Sequence, residues 1–271
     1  MVSNVLSIAG SDPSGGAGIQ ADLKTFAAMR CYGMAVVTAL TAQNTRGVTA
    51  VHVPPADFLG EQIDAIFADI DVAAVKIGML ANGAIARLVA ARLRRYRPRF
   101  IVLDPVLVAT SGDSLGTPDT LAAMREDLIP VATLVTPNIP EAARLADRPL
   151  ARDVDDMRRT AEVIYGLGAP AVLVKGGHLH GAMSEDVLFD GSTHHVLSSP
   201  RVDTQNTHGT GCTLSSAIAA ALANGLDLAA AVASAKIYLT AALEASDALR
   251  VGHGHGPVHH FYALWAEGAR S

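Results

Sequence analysis

Four consecutive residues in the last third of the chain combine a glycine turn with a thiol. Gly209, Thr210 and Gly211 lead directly into Cys212, and an apolar, alanine-rich stretch of helical character follows. Backbone N–H groups at the start of a helix converge on one point, and the positive end of the helix dipole adds to them. A phosphoryl group in transfer carries negative charge on several oxygens. The segment therefore suits an anion site for phosphoryl transfer.

The thiol of Cys212 stands at the first turn of this predicted helix. The field that favours a bound anion also favours a thiolate, so Cys212 can accept a proton from a substrate hydroxyl. A free cysteine at a helix start is equally typical of a small buried apolar residue. Residue types and spacing leave both interpretations open for Cys212. Cys31 has no comparable setting and is interpreted as a core residue.

Size and composition limit the class of protein. The 271 residues are 50% hydrophobic and only 17% charged, which indicates a folded chain with a sizeable core. The net charge of -5 predicts neither a nucleic-acid partner nor an anionic membrane partner. Two cysteines do not make a disulfide framework, and the amino-terminal residues have no basic, signal-like region. These features predict a cytoplasmic protein.

The elements that must position this chemistry alternate between short apolar runs and longer helical patterns. This alternation predicts an α/β fold with a mostly parallel sheet covered on both faces, in a single domain over residues 1–271. Strands are predicted over 5–9, 35–41, 48–53, 73–77, 100–103, 133–136 and 171–174, with a hairpin over 187–196. Helices are predicted over 18–29, 57–70, 82–96, 117–128, 139–146, 154–167, 211–224 and 228–245, with a final turn at 261–265.

Polar or glycine-rich segments follow six of the predicted strands. Ligands of doubly wound sheets bind outside the carboxyl ends of the strands, so six such segments at one edge indicate a site. These segments are 10–18, 43–47, 78–79, 104–106, 137–141 and 175–178.

Two common nucleotide motifs do not account for this edge. Residues 16–21 fit the pattern G-x-G-x-x-A, but six residues separate them from the strand and no acidic residue follows about twenty positions later. The Walker pattern G-x-x-x-x-G-K-[ST] is absent from the sequence. A nicotinamide enzyme and a Walker-type nucleotide site are therefore disfavoured.

Several motifs together resemble a known enzyme family. The residues Gly209-Thr-Gly-Cys212, preceded by Asn206-Thr-His, resemble the anion-hole and catalytic-base signature of ribokinase-like kinases, most of which carry Asp in place of Cys212. The Cys form is similar to the hydroxymethylpyrimidine/phosphomethylpyrimidine kinases of thiamine biosynthesis. Further matching motifs span residues 10–22, 41–45, 75–79, 104–106, 136–141 and 174–178. The resemblance covers nearly the whole chain, and Leu107 stands where the family often has Met.

The resemblance implies a ribokinase-like three-layer sandwich and a kinase that uses ATP and Mg²⁺. Its substrates would be 4-amino-5-hydroxymethyl-2-methylpyrimidine and then the monophosphate of that alcohol, and the active form would be a homodimer. No nucleic-acid or membrane partner is implied.

The same resemblance assigns roles to individual residues. Cys212 would be the base, and the backbone of Gly209, Thr210 and Gly211 would complete the anion hole. Asp22 and Gln43 would pair with the aminopyrimidine edge, and Met79 and Val106 would enclose the ring, with Gly10 close by. Asp104 and Glu141 would bind Mg²⁺ and its waters with help from Asn138, Lys175 would bind the ATP phosphates, and His208 would lie at the nucleotide rim.

Alternatives remain for several of these assignments. Gln43 also fits a turn, Met79 a core position, Asp104 a turn before Pro105, and Glu141 a complement to a helix dipole. The nearest rival activity is pyridoxal kinase, and a protein of another class would bind a vitamin precursor without catalysis. His253, His255, His259 and His260 are interpreted as an exposed flexible connection because glycines separate them.

Overall fold

A computed structural model of the protein describes residues 1–107 and 117–265. Its described strands form one nine-stranded sheet in the order β3-β2-β1-β4-β5-β6-β7-β8-β9. The strands are Asn4–Ser11 (β1), Tyr32–Asn44 (β2), Gly47–His52 (β3), Ala74–Ile77 (β4), Phe100–Leu103 (β5), Leu134–Val135 (β6), Val172–Lys175 (β7), Met183–Phe189 (β8) and His194–Pro200 (β9). The six strands β2, β1, β4, β5, β6 and β7 pair in parallel, so their carboxyl ends share one edge. The remaining pairings are antiparallel, including the predicted hairpin β8–β9.

Helices cover both faces of this sheet, as the alternating pattern predicts. They are Gly18–Ala28 (α1), Ala56–Asp69 (α2), Gly83–Tyr96 (α3), Pro118–Ala123 (α4), Ile139–Ala146 (α5), Val154–Tyr165 (α6), Thr210–Ala223 (α7), Leu228–Glu244 (α8) and Tyr262–Trp265 (α9). Within residues 1–107 and 117–265, no helix combines the length and apolar character needed to cross a membrane.

Two apolar layers hold the helices on the sheet. On one face, Leu6, Ile8 and Ile77 pack with α2, α3, α5 and α6. On the other face, Val5 and Val102 pack with α1, α7 and α8. Burial of the central strands on both faces explains why they read as continuous apolar runs instead of alternating ones. The sheet is therefore a rigid frame whose carboxyl edge presents the loops.

The predicted helix over 117–128 differs from the observed structure. The α-helical part ends at Ala123, and a π-helical turn, Met124–Leu128, and a 3-10 turn, Ile129–Val131, follow. Pro130 lies in this last turn and has no N–H to continue an α-helical ladder.

The strand predicted over 35–41 is also longer than expected. It extends to Asn44 because β3 pairs with it in an antiparallel hairpin, Asn44 opposite Gly47. Gln43, predicted to lie in a loop, is therefore held by a strand.

The histidine-rich segment is only partly the exposed connection that its glycines predict. His253 and His255 are exposed, but His259 and His260 are buried. His260 Nε2 lies 3.1 Å from the hydroxyl of Thr213 on α7, and the Tyr238 hydroxyl donates to the His260 carbonyl at 2.8 Å. These contacts tie the segment to α7, the helix that carries Cys212, and to α8. Among the described residues, no group of three or more His, Cys, Asp or Glu is arranged to hold a metal ion.

Candidate functional site

A cavity of about 680 Å³ opens at the carboxyl edge of the parallel strands. All six polar segments predicted from the sequence contribute to its wall. The predicted site residues that line it are Gly10, Gln43, Met79, Asp104, Val106, Asn138, Glu141, Lys175, His208, Gly209, Thr210, Gly211 and Cys212. Asp22 is the predicted site residue that does not line it.

The glycine turn before α7 depends on a left-handed residue. Gly209 has φ +78°, and a Cβ at this position would overlap the carbonyl oxygen of Gly16. The helix begins at Thr210, and the bond from the Thr213 N–H to the Gly209 carbonyl closes its first turn at 2.8 Å. The N–H groups of Gly211 and Cys212 precede that bond and have no acceptor within the helix. The turn is therefore built to present N–H groups to an anion.

A cation lies against the same turn. A Cβ on Gly211 would stand 3.2 Å from Lys175 Nζ and 3.5 Å from an Asp104 carboxylate oxygen. Lys175 Nζ donates to Asp104 Oδ1 at 2.6 Å, and Asp104 is 1% exposed. The ammonium of Lys175 and the helix amino terminus thus converge on one point of the cavity wall.

The thiol of Cys212 is half-buried and, in this structure, protonated at neutral pH. Burial raises the pKa of Cys212 to about 11; Lys76 opposes the rise, whereas Asp22 and Asp104 add to it. A hydrogen bond that the Gly18 N–H donates to the sulfur also favours the thiolate. The helix field favours the thiolate, but desolvation outweighs that field at Cys212.

Asp22 lies behind the cavity wall instead of in it. Its carboxylate is fully buried and accepts from Lys76 Nζ at 2.8 and 2.9 Å. The hydroxyls of Ser7 and Ser216 donate to the two oxygens at 2.6 and 2.7 Å. A carboxylate with these donors has no free face toward a substrate, so the expected pairing of Asp22 with a pyrimidine does not fit this structure.

Glu141 and Asn138 form the amino-terminal cap of α5. The Asn138 N–H donates to Glu141 Oε2 at 2.8 Å, and the Glu141 N–H donates to Asn138 Oδ1 at 2.9 Å. Glu141 is 4% exposed; burial raises its pKa to about 7, Lys175 opposes the rise and Asp104 adds to it. Two buried carboxyls beside a single ammonium leave room for further positive charge.

His208 lies on the side of the cavity near Gln43. Its Nε2 is 2.8 Å from Asp12 Oδ2 and 3.5 Å from Gln43 Nε2. Asp12 was missed by the sequence interpretation, although it stands two residues after Gly10 at the end of β1. Burial disfavours its charge, but hydrogen bonds from His208, from Ser14 and from backbone amides hold the pKa of Asp12 at about 2.

The far end of the cavity was also missed. Lys236 of α8 and Asp186 of β8 line it and pair at 2.7 Å, and Leu239 and Leu243 supply an apolar wall. The sequence feature that could have indicated it is Lys236, a single charge that interrupts the apolar run of α8. Elements of the antiparallel edge and of α8 therefore complete a cavity that the parallel strands begin.

Comparison with known proteins identifies the family. The sequence profile of phosphomethylpyrimidine kinase matches residues 12–259. The chain belongs to the phosphomethylpyrimidine kinase family. It is similar to a hydroxymethylpyrimidine/phosphomethylpyrimidine kinase of Rhizobium meliloti, with 55% identity over 98% of this chain and 100% of that protein. It is also similar to a thiamine biosynthesis bifunctional protein of Geobacter sulfurreducens, with 51% identity over 96% of this chain and 52% of that protein.

A solved kinase structure is also similar to this chain in fold. The ADP complex of Bacillus subtilis pyridoxal kinase superimposes with a TM-score of 0.89 and 38% identity, over 97% of this chain and 99% of that chain. The ribokinase-like α/β fold expected from the motifs is therefore confirmed, and the chain is a phosphotransferase.

Proposed function

We propose that the protein uses ATP to phosphorylate 4-amino-5-hydroxymethyl-2-methylpyrimidine, and then converts the monophosphate to the diphosphate in thiamine biosynthesis. The observation that carries this proposal is the convergence of Lys175 and the Gly209–Cys212 turn in one cavity. A protein that only binds an unphosphorylated vitamin precursor has no need for a cation beside an anion-binding turn.

Cys212 is the proposed base for the first step. Its Sγ takes the proton of the substrate hydroxyl as the alcohol oxygen bonds to the γ-phosphorus and the bond from phosphorus to ADP breaks. Because the free thiol is protonated at neutral pH, the reactive form is the small thiolate fraction. The N–H groups of Gly211 and Cys212, with the Lys175 ammonium, stabilise charge on the transferring group.

Asp104 and Glu141 are proposed to hold Mg²⁺. Carboxylate oxygens are the ligands that Mg²⁺ prefers, and the burial that raises the pKa of Glu141 is offset when a cation binds beside it. When bound, the metal would neutralise phosphate charge. Asn138 would position Glu141 through the cap of α5 and would lie beside the nucleotide phosphates.

The pyrimidine is proposed to bind between Gln43, Met79 and Val106. A Cβ on Gly10 would lie 2.6 Å from Met79 Cε, so glycine at this position makes room for the methionine. The Gln43 side chain offers one acceptor and two donors on a planar amide. A 4-aminopyrimidine presents a donor beside an acceptor and can form two parallel hydrogen bonds with that amide, as adenine does with Gln or Asn.

Substitution of Gln43 tests the substrate assignment. Gln43→Leu keeps the approximate bulk and removes both hydrogen-bond partners, so we expect a loss of about 1–3 kcal/mol for the aminopyrimidine. Pyridoxal has no matching edge and loses less. The measurement is the ratio of kcat/KM for the two substrates in the wild type and in Gln43→Leu.

Gln205→Leu is the matched control, because Gln205 is exposed and does not line the cavity. We expect its ratio to equal that of the wild type. A wild type that prefers pyridoxal, or a ratio that Gln43→Leu leaves unchanged, would overturn the pyrimidine assignment and favour pyridoxal kinase. The similarity to the Bacillus subtilis pyridoxal kinase makes this the second candidate function.

We also propose that the kinase acts as a cytoplasmic homodimer. Both cysteines are free thiols, which suits a reducing compartment. Leu40, Val51 and Phe58 are exposed apolar residues at the β2–β3 edge and the start of α2, where a second copy can cover them. Sedimentation equilibrium tests the dimer, and a species of only 28.0 kDa at micromolar concentrations would exclude it.

A further inference from the structure

A fully buried ion pair lies behind Cys212 and is not used by the mechanism above. Lys76 of β4 and Asp22 of α1 are both 0% exposed, and neither lines the cavity. Ser7 of β1 and Ser216 of α7 complete the hydrogen bonds of the carboxylate. Four elements therefore meet at the carboxylate of Asp22.

Stability alone does not account for this pair. Burying two charges costs desolvation energy, and replacing a buried pair with apolar side chains is often neutral or stabilising. The other residues of this strand, Ala74, Val75 and Ile77, are apolar and completely buried. An apolar residue at position 76 would suit this strand, so the ammonium needs another explanation.

The location of the pair supplies that explanation. A Cβ on Gly78 would stand 2.8 Å from Lys76 Nζ, so the ammonium lies directly beneath the backbone that leads into Met79 and the substrate cavity. Ser216 follows Cys212 by one helical turn on α7, and its bond to Asp22 ties that turn to α1 and, through Lys76, to β4. The pair thus contacts both the cavity wall and the helix that carries the thiol.

The charges that face Cys212 come from several elements. Lys76 of β4 lowers the pKa of the thiol, and Asp22 of α1 and Asp104 after β5 raise it. Lys175 of β7 also interacts with the thiolate. Lys175 pairs with Asp104 at 2.6 Å and lines the cavity, whereas Lys76 is fully buried and acts on the thiol from outside the cavity.

We propose that Lys76 and Asp22 are positioning residues for Cys212: Asp22 fixes the turn of α7 that follows the thiol through Ser216, and the buried Lys76 ammonium stabilises negative charge on Sγ. This inference rests on the proposed role of Cys212 as the base. Removal of the ammonium should make the thiolate harder to form, whatever protonation state Asp22 then adopts.

The pH dependence of Cys212 alkylation by iodoacetamide tests the proposal without turnover. The assay uses a Cys31→Ala background, so that only Cys212 reacts. In Lys76→Met we expect the pKa of Cys212 to rise by about 1 unit, which lowers the alkylation rate at pH 8.5 about tenfold. Lys76→Arg keeps the charge and should retain a rate closer to that of the wild type.

The double variant Asp22→Asn/Lys76→Met separates charge from stability. It leaves no unpaired buried charge, so thermal unfolding should recover toward the wild type relative to Lys76→Met. The alkylation rate should stay below that of the wild type, because the effect of Lys76 on the thiol exceeds that of Asp22. If Lys76→Met does not fold, this double variant carries the same test.

Lys24→Met is the matched control, because Lys24 is a partly buried lysine of α1 that donates to the Gly15 carbonyl and does not line the cavity. Its alkylation profile should equal that of the background. Wild-type alkylation profiles in both Lys76→Met and the double variant would overturn the proposal. Full turnover in Cys212→Ala would instead refute the base assignment, a result that the alkylation assay distinguishes.

Discussion

The ion pair of Lys175 and Asp104 has a structural part and a functional part that a double variant can separate. The two charges lie 2.6 Å apart, and Asp104 is 1% exposed. Thr136 and Ser215 donate further hydrogen bonds to the Asp104 carboxylate at 3.3 Å each. Lys175→Met would leave this carboxylate buried without its cation.

The expected loss of stability follows from that geometry. At an effective dielectric constant of about 20, two unit charges at this distance attract by roughly 6 kcal/mol, and desolvation offsets much of that. Removing one partner of a buried pair costs about 3 kcal/mol, or about 6 °C in Tm for a chain of this length. Asp104→Asn/Lys175→Met leaves no uncompensated charge, so we expect most of that loss to be recovered.

Nucleotide affinity should respond differently. Lys175 borders the anion turn, so its loss should weaken ADP at least about tenfold in both variants, because the phosphate loses a charge-assisted partner. Calorimetric unfolding measures the stability, and isothermal titration with ADP measures the affinity. Arg250→Met, which changes an exposed cation that does not line the cavity, controls for a general loss of positive charge. Recovery of ADP affinity in the double variant, or an unchanged Tm in Lys175→Met, would refute the reasoning.

Two further predictions concern Cys212 and His260. Cys212→Ala should lower kcat about 10²–10⁴-fold with little change in substrate affinity. Because the base must lose a proton from a group with a pKa of about 11, kcat/KM of the wild type should rise from pH 7 to 9.5. A flat pH profile would contradict this role. Burial lowers the pKa of His260 to about 3, whereas the ordinary value of 6.5 applies in the unfolded chain. Below pH 6.5 the unfolded chain therefore binds one more proton than the folded chain, and the protein becomes less stable as the pH falls. Urea unfolding should show that the free energy of unfolding decreases by about 2 kcal/mol between pH 7.5 and 5 because of this group. His260→Gln should abolish the decrease, and His253→Gln, at an exposed position, should not.

The sequence predicted those parts of the fold that depend on local pattern. Central strands such as 100–103 are continuous apolar runs, and Asn82 precedes a helical pattern as a cap, which its bond from the Ile85 N–H confirms at 2.9 Å. The segments that follow parallel strands meet at one edge for topological reasons. Their convergence on one cavity could therefore be predicted without side-chain coordinates.

The remaining features depend on contacts that are distant in sequence. A partly buried thiol at a helix start is subject to both the helix field and desolvation, and only the packed structure shows that desolvation dominates for Cys212. Asp22 stands in a motif beside the site, but Lys76 and Ser216 decide where its carboxylate points. Gly252, Gly254 and Gly256 suggest that the histidine-rich segment is exposed, whereas the contacts of His260 with Thr213 and Tyr238 bury its far end.

The placement of Asp22 also narrows the basis of substrate selection. With the Asp22 carboxylate engaged by Lys76, Gln43 is the proposed polar side chain left to bind the ring edge, since Met79 and Val106 would contact any flat heterocycle in the same way. One amide pair discriminates by about 1–3 kcal/mol, a factor of roughly 5 to 150. A pyrimidine kinase built in this way differs from a pyridoxal kinase of the same fold by few contacts. The similarity in shape to the Bacillus subtilis enzyme is what such a small difference predicts, and a change at Gln43 alone should move the preference measurably.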